Sequence, residues 1–536
     1  MSLLSRRHFI AAPAALAWGA SAHAAEAATP QRGGTLVIGT GREPPGLTSA
    51  LTTAGPTQLV SGKVFDGLLS YDAQLRPLPR LATKWETSAD GLAITFHLRP
   101  GVKWHDGQPF TSADVAFSLL EVWKKFNARG RSIFLNVEKV DTPSPTVAVL
   151  RLSRPAPYIL GALSAIESQV IPRHLYAGAD VLANPRNNAP VGTGPFRFVR
   201  WDRGRQLVLE RNADYWDRDR PWLDQIVFRQ ITDPAAAVAA LETGAIHIAG
   251  EVPLSDVANL ARNPQLAVHR RTQPSTTGIA AIEFNLERPL WRDVRVRQAI
   301  AHAVDRNFLV KNIWHGYAEA TDAPIPSAFP AFHTTDVPHY PFDLQRAEAL
   351  LDAAGLKRDG RGTRLAFTLD PNAGSSQTLV QAAQVLRANL ARIGVRVDVR
   401  IQDFGEFINR VYTRRDFDAS VYMANAGPDP AIGTQRFYWS KNIQPGVAFS
   451  NGAAYRSAEA DRLLEIAQYE TNVERRRAIY TQFQQLVQTD LPKIPLVAPE
   501  AVVVARKGLR DFLDPADGTL GNFAGAWIAR DGGSPA

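Results

Sequence analysis

Trp-His-Asp-Gly at 104–107, inside the stretch LRPGVKWHDGQPFTSADV (98–115), sets an imidazole beside a carboxylate. Such a pair can relay a proton or begin a metal site if the fold holds both groups on one concave surface. Asp66 and Asp72 are a second candidate, two carboxylates that acid–base chemistry would use if they met. Among eleven histidines, His97 with His105 and His333 with His339 come nearest to pairs. Neither spacing sets two imidazoles on one helical face, so no metal ligands are assigned. The chain has no G-x-S-x-G elbow, no G-x-x-x-x-G-K-[ST] loop, no H-E-x-x-H and no EF-hand loop, so the commonest hydrolytic and nucleotide-driven chemistries lack their residues. No catalytic residue and no cofactor is assigned.

The elements around these residues decide how they are used. Lys84, Trp85 and Glu86, a turn at 88–91, and the alternation of Ile94, Phe96 and Leu98 predict a hairpin. Arg99-Pro100-Gly101 then turns the chain, Asp106-Gly107 turns it again, and Thr111 with Asp114 forms a capping-box pattern before a helix over 115–122. His105 and Asp106 therefore read as turn residues of a scaffold. A strand over 35–40 runs into the Gly/Pro loop GREPPG (41–46), and a second hairpin turns at 202–204. A strand over 226–231, an Ala-rich helix over 234–241 and a strand over 245–249 predict a βαβ unit. Late in the chain, Leu365, Phe367 and Leu369 alternate, Leu379, Ala383, Leu386, Leu390 and Ile393 recur at helical spacing, and 395–401 alternates again. A short helix over 404–411 and a strand over 418–423 follow. In open α/β sheets ligands sit beyond the carboxyl ends of the strands. The loops at 41–46 and 424–431 leave such ends and are the candidate cleft loops.

Composition narrows the class. At 536 residues and 45% hydrophobic, the chain has material for more than one core. Its net charge of +8 includes Arg6 and Arg7 and is otherwise dispersed, which argues against a nucleic-acid partner. The opening MSLLSRRHFIAAPAALAWGASAHA has a basic start, a short apolar stretch and a small-x-small end, the pattern of a cleaved export signal. Its Arg6-Arg7 pair resembles a twin-arginine signal, with cleavage expected after Ala24 and a periplasmic destination. There is no Cys, so disulfides, thiolate chemistry and a lipid-attachment residue are all absent.

Residues 64–118, from VFDGLLSYD through LPRLATKWETSADGLAITFHLRPGVKWHDGQPFTSADVAFSL, resemble the signature region of family 5 solute-binding proteins. These are the dipeptide, oligopeptide and nickel class that feed ABC importers. VGTGPFRF (191–198) with LERNADYW (209–216), AALETGAIHIA (239–249) and FNLERPLWRDVRVRQAIAHAVDRNFLV (284–310) agree in order. The resemblance implies an α/β, two-lobed periplasmic-binding-protein clamp of the dipeptide/oligopeptide-binding type with three domains. After a signal at 1–24, domain I would be assembled from 31–70, 186–275 and 496–530. Domain II would be inserted at 71–185, and domain III, the second lobe, would cover 276–495. The implied function is the substrate-binding component of an ABC uptake transporter. It would capture a small solute, peptide-like or another polar organic molecule, between the lobes and pass it to the inner-membrane permease, a transient partner. A monomer without enzymatic activity is expected; the alternatives are an extracytoplasmic enzyme or a metal or metal-chelate binder.

In peptide-binding relatives, an Asp in a W-x-x-D-x-x-[DE]-P-like loop neutralises the peptide ammonium. Here that loop runs from Met423 to Pro430, with Asp429 and Pro430 matching its end and Ala426 at the anchor. The loop expected to offer an Arg to the peptide carboxylate, 370–376, has none. The candidate ligand contacts are Arg42 and Glu43 in the first loop, Asn425, Ala426, Gly427 and Asp429 in the second, and the aromatics Phe437 and Trp439. Asn425, the Gly427 backbone and the aromatic faces suit a neutral or hydroxylated solute, and Glu43 is placed to receive a cation.

Overall fold

The computed structural model describes residues 29–127, 129–250, 252–270, 274–373 and 376–529; Arg6, Arg7 and the Ala24 cleavage site lie outside them. The apolar strand Thr35–Thr40 is the axis of a seven-stranded sheet. Gln225–Gln230 and Ile248–Ala249 pair with it in parallel on either side. A strand covered on both faces needs apolar residues throughout: Leu36 and Ile38 are buried in one core, and Val37, on the opposite face, packs against another. Helix Pro234–Glu242 links the two parallel neighbours. Asp233 accepts from Ala236 N at 2.7 Å at its start, and Gly244, at φ +80°, takes the left-handed turn beyond its end. The predicted βαβ unit is therefore present, with the last strand regular only over Ile248–Ala249. The hairpin Phe196–Asp202 with Gln206–Arg211 extends one side of the sheet, and Val502–Arg506 with Leu266–Arg270 closes the other.

A six-stranded sheet forms the second lobe, ordered Ala318–Ala320, Lys493–Pro499, Gly278–Phe284, Ala419–Asn425, Leu365–Pro371, Val395–Val399. Leu365–Pro371 pairs in parallel with the strands on both its sides. Helix Gln377–Arg392 buries Leu379, Ala383, Leu386 and Leu390 against this sheet, and Gly394 at φ +78° follows it. The strand expected over 395–401 stops at Val399. Arg400 turns aside to make two 2.8 Å bonds to the buried Asp370 carboxylate, and Ile401 is left exposed.

Between the first two segments of the seven-stranded sheet lies a four-stranded antiparallel sheet, ordered Ala82–Thr87, Ala93–Leu98, Val147–Leu152, Val137–Ser144. The capping box at Thr111 and Asp114 starts helix Ser112–Phe117, which widens to a π-helical stretch over Ser118–Trp123. The buried Trp123 donates its indole N–H to Gln169 O at 2.8 Å. The chain passes from Leu266–Arg270 to Gly278–Phe284 and returns from Lys493–Pro499 to Val502–Arg506, so two short crossovers join the large sheets. The lobes also touch beside them: Ile432 of the second lobe packs into the core of the first, and Gly161 lies against Pro428 O.

Candidate functional site

A cavity of about 400 Å³ opens at the carboxyl ends of the three parallel strands of the first sheet. Ile38, Leu207, Phe228, Ile248 and Val503 supply its apolar lining, while Arg42, Glu43, Trp201, Arg205 and Gln230 bring polar groups. Thr276 on a crossover, Asn425 from the second lobe and Arg129 from the inserted domain complete it. A concave, partly apolar site with a few placed polar groups is the usual form of a small-molecule pocket. The strands approach closely here: a Cβ on Gly250 would stand 2.7 Å from Gly39 O, so the backbone at that wall admits only glycine without moving.

Of the residues singled out in the sequence, Arg42, Glu43 and Asn425 come together in this cavity. The Glu43 carboxylate accepts from Trp201 Nε1 at 3.1 Å and Gly204 N at 2.9 Å, which ties the first loop to the neighbouring hairpin. Asn425 Oδ1 accepts from Gly427 N at 2.8 Å, and Gly427 has φ +64°. Ala426 and Phe437 line a separate cavity of about 10 Å³ inside the second lobe, beside Lys493. Lys493 is buried in an ion pair with Glu283, and Tyr422, Phe437 and Tyr438 lie around its ammonium. Trp439 donates to Glu465 Oε1 at 3.0 Å. Asp429 is buried against Arg476, whose Nη1 and Nη2 donate to its two oxygens at 2.7 and 2.6 Å. Its carboxylate is thus committed to its own lobe rather than turned towards a ligand ammonium.

Sequence reasoning missed Arg129, Arg205, Trp201 and Gln230. Trp201 and Arg205 flank a recognised hairpin turn, where alternation could have pointed to them. Arg129 carries no local signal. Asn127 fixes it: its Oδ1 accepts from Arg129 N and Gly130 N, both at 3.0 Å, while its Nδ2 donates to Ser49 O and Ala50 O of the first lobe at 3.2 Å.

The reactive-looking groups serve the scaffold. His105 Nδ1 accepts from Gly192 N at 3.2 Å, and Nε2 lies 2.9 Å from Gly194 O as a donor, so the neutral ring bridges the inserted domain to the first lobe. Burial pushes its pKa down to about 4. Asp106 contacts His174 Nε2 at 2.7 Å. Asp66 and Asp72 are engaged apart: Asp66 accepts from Arg80, Trp216 and Asn522, and Asp72 pairs with Arg76. Among the described residues, no group of three or more His, Cys, Asp or Glu side chains is arranged to hold a metal ion.

Two sheets joined by paired crossovers, with a cavity that draws side chains from both lobes and from an inserted domain, define a two-lobed, three-domain binding clamp. The chain belongs to the bacterial extracellular solute-binding proteins, family 5, whose middle-region model matches residues 76–446. It is 30% identical over 483 residues, 86% of each chain, to a Brucella ovis protein named provisionally as an ABC transporter peptide-binding protein. The oligopeptide-binding protein AppA of Bacillus subtilis, solved with a nonapeptide, superposes with TM-score 0.78 at 26% identity, covering 94% of this chain and 100% of AppA. NikZ of Campylobacter jejuni, solved with Ni(L-His), gives TM-score 0.77 at 26% identity over 91% of this chain and 97% of NikZ. The protein is the substrate-binding component of an ABC uptake transporter and acts outside the cytoplasm.

Proposed function

We propose that the 400 Å³ cavity is the ligand site and that it takes a small polar organic solute, peptide-like or otherwise, released chemically unchanged. The observation that carries this reading is the shared lining. Thr276 and Asn425 face Arg42 and Glu43 across one cavity, so a ligand there touches both lobes and favours their approach. The crossovers near 275 and 500 act as the hinge. The domains divide as 31–70, 186–275 and 496–530 for the first, 71–185 for the insertion and 276–495 for the second lobe. The protein works as a monomer that meets its permease transiently.

Ala426 at the ammonium anchor, with Asp429 locked to Arg476, argues against zwitterionic dipeptides as the preferred ligands. Transferring an unpaired ammonium into a closed cleft costs several kcal/mol. Isothermal titration of ligand-free protein with di- and tripeptides is expected to show no submicromolar binding; tight binding abolished by Glu43→Gln would place the ammonium anchor there and overturn the expectation. Export uses the twin-arginine route with cleavage after Ala24. Changing Arg6 and Arg7 together to Lys should retain precursor in the cytoplasm, and normal appearance of mature protein in the periplasm would refute the route.

A further inference from the structure

Two arginines approach each other from opposite sides of the clamp beside the cleft. Arg129 lines the cavity from the inserted domain and pairs through Nη2 with Glu167 Oε2 at 2.6 Å. Arg436, in the turn Gln435–Phe437 of the second lobe, donates a long 3.4 Å bond from Nη2 to the backbone oxygen of Asn425, whose residue lines the same cavity. Its guanidinium lies 4.5 Å from the centre of the Phe437 ring, and no acid pairs with it among the described residues. Arg129 Nε and Arg436 Nε are both buried without a hydrogen-bond partner, and Glu167 Oε1, beside Arg129, is an unpartnered acceptor. Buried donors in folded proteins are nearly always satisfied, so the two unpartnered Nε groups point to an acceptor that arrives from outside.

The pairing is uneven. Glu167 pairs with Arg129, and Asp517, which accepts from Ser275 at 2.6 Å, lines the same recess as both, whereas no acid among the described residues forms an ion pair with Arg436. Burial, and then the positive charge of Arg129, push the Arg436 pKa down to about 10, still cationic at neutral pH.

We infer that Arg129 and Arg436 form an anion subsite of the cleft and that the ligand carries a carboxylate received between them. The inference rests on the cavity being the ligand site and adds the ligand's charge. It replaces the carboxylate anchor that loop 370–376 does not provide. It also gives closure a mechanism: two like charges on opposite lobes oppose approach until an anion neutralises one of them, and a planar carboxylate accepts from guanidinium forks on both sides.

The test is titration of ligand-free mature protein with N-acetylalanine, N-acetylphenylalanine and N-acetylglutamine, each against its primary amide. At least one acid should bind about 100-fold more tightly than its amide, as expected for a charge-assisted contact. That preference should shrink to within about threefold in Arg436→Gln and be intermediate in Arg436→Lys. Because Arg436 lacks a counterion, Arg436→Gln should keep or raise the melting temperature, whereas Arg476→Gln, which breaks the Asp429 pair, should lower it. Equal binding of acid and amide, a preference unchanged in Arg436→Gln, or no acid binding up to millimolar concentration would overturn the subsite. Leu59→Trp, which fills the cavity, separates the two ideas: acid-selective binding that survives it refutes the cleft reading instead.

Discussion

The loops at 41–46 and 424–431 leave the carboxyl ends of strands in their respective sheets, yet they meet the cleft differently. The first puts Arg42 and Glu43 on the cavity, and the Glu43 carboxylate is held by exposed hydrogen bonds to the neighbouring hairpin. The second turns inward after Asn425. Gly433 packs so tightly on Ala426 that a Cβ would overlap its carbonyl oxygen at 1.6 Å, and Arg476 holds Asp429 from the helix Val473–Asp490. Strand-end position makes a loop eligible to bind, and its side-chain partners determine how many of its residues remain available.

The largest test of this contrast is Asp429→Ala. It strands a buried guanidinium and should cost about 3–5 kcal/mol in urea or thermal unfolding. A loss below 1 kcal/mol would mean that the second loop is not locked.

A smaller, pH-dependent effect is expected where the inserted domain meets the first lobe. The neutral His105 ring is matched to Gly192 N–H and Gly194 C=O, and protonation would cancel its acceptor. Its folded pKa, about 4, lies below the ordinary 6.5, so the unfolded chain takes up the proton first. Stability is therefore lost as pH falls from about 6.5 towards 4 and levels off below, by roughly 3 kcal/mol at most. His105→Gln should flatten that segment of the stability–pH curve relative to the wild type; parallel curves would show that the ring stays accessible to protons.

The smallest stability change should come from Glu43→Gln. Its carboxylate is exposed and the amide oxygen can still accept from Trp201 and Gly204, so unfolding should shift by no more than about 0.5 kcal/mol. Any effect should appear in ligand affinity, and a stability loss matching that of Asp429→Ala would erase the distinction between the loops.

Local patterns were legible where each residue's role depends on near neighbours. The hairpin turning at 202–204, the Thr111–Asp114 cap and the helix Gln377–Arg392 follow from periodicity and capping, because hydrogen bonds over a few residues specify them. The candidate site was half legible. Arg42, Glu43 and Asn425 were found because strand ends can be read from the sequence, whereas Phe437 and Trp439 turned into the second lobe, where apolar area and the Glu465 carboxylate satisfy them.

From the sequence alone came the family, the clamp and the scaffold role of Trp-His-Asp-Gly, since these rest on residue identity and local order. Tertiary structure alone decided which charges remain available. Asp429 is spent on an arginine 47 residues away. Arg129 lines the cleft and Arg436 bonds the backbone of Asn425, which lines it too, although more than three hundred residues separate the two arginines. Short-range patterning specifies an element and its exposed face, but electrostatic pairing acts through space, and only the packed lobes determine which distant side chain lies close enough to neutralise a charge.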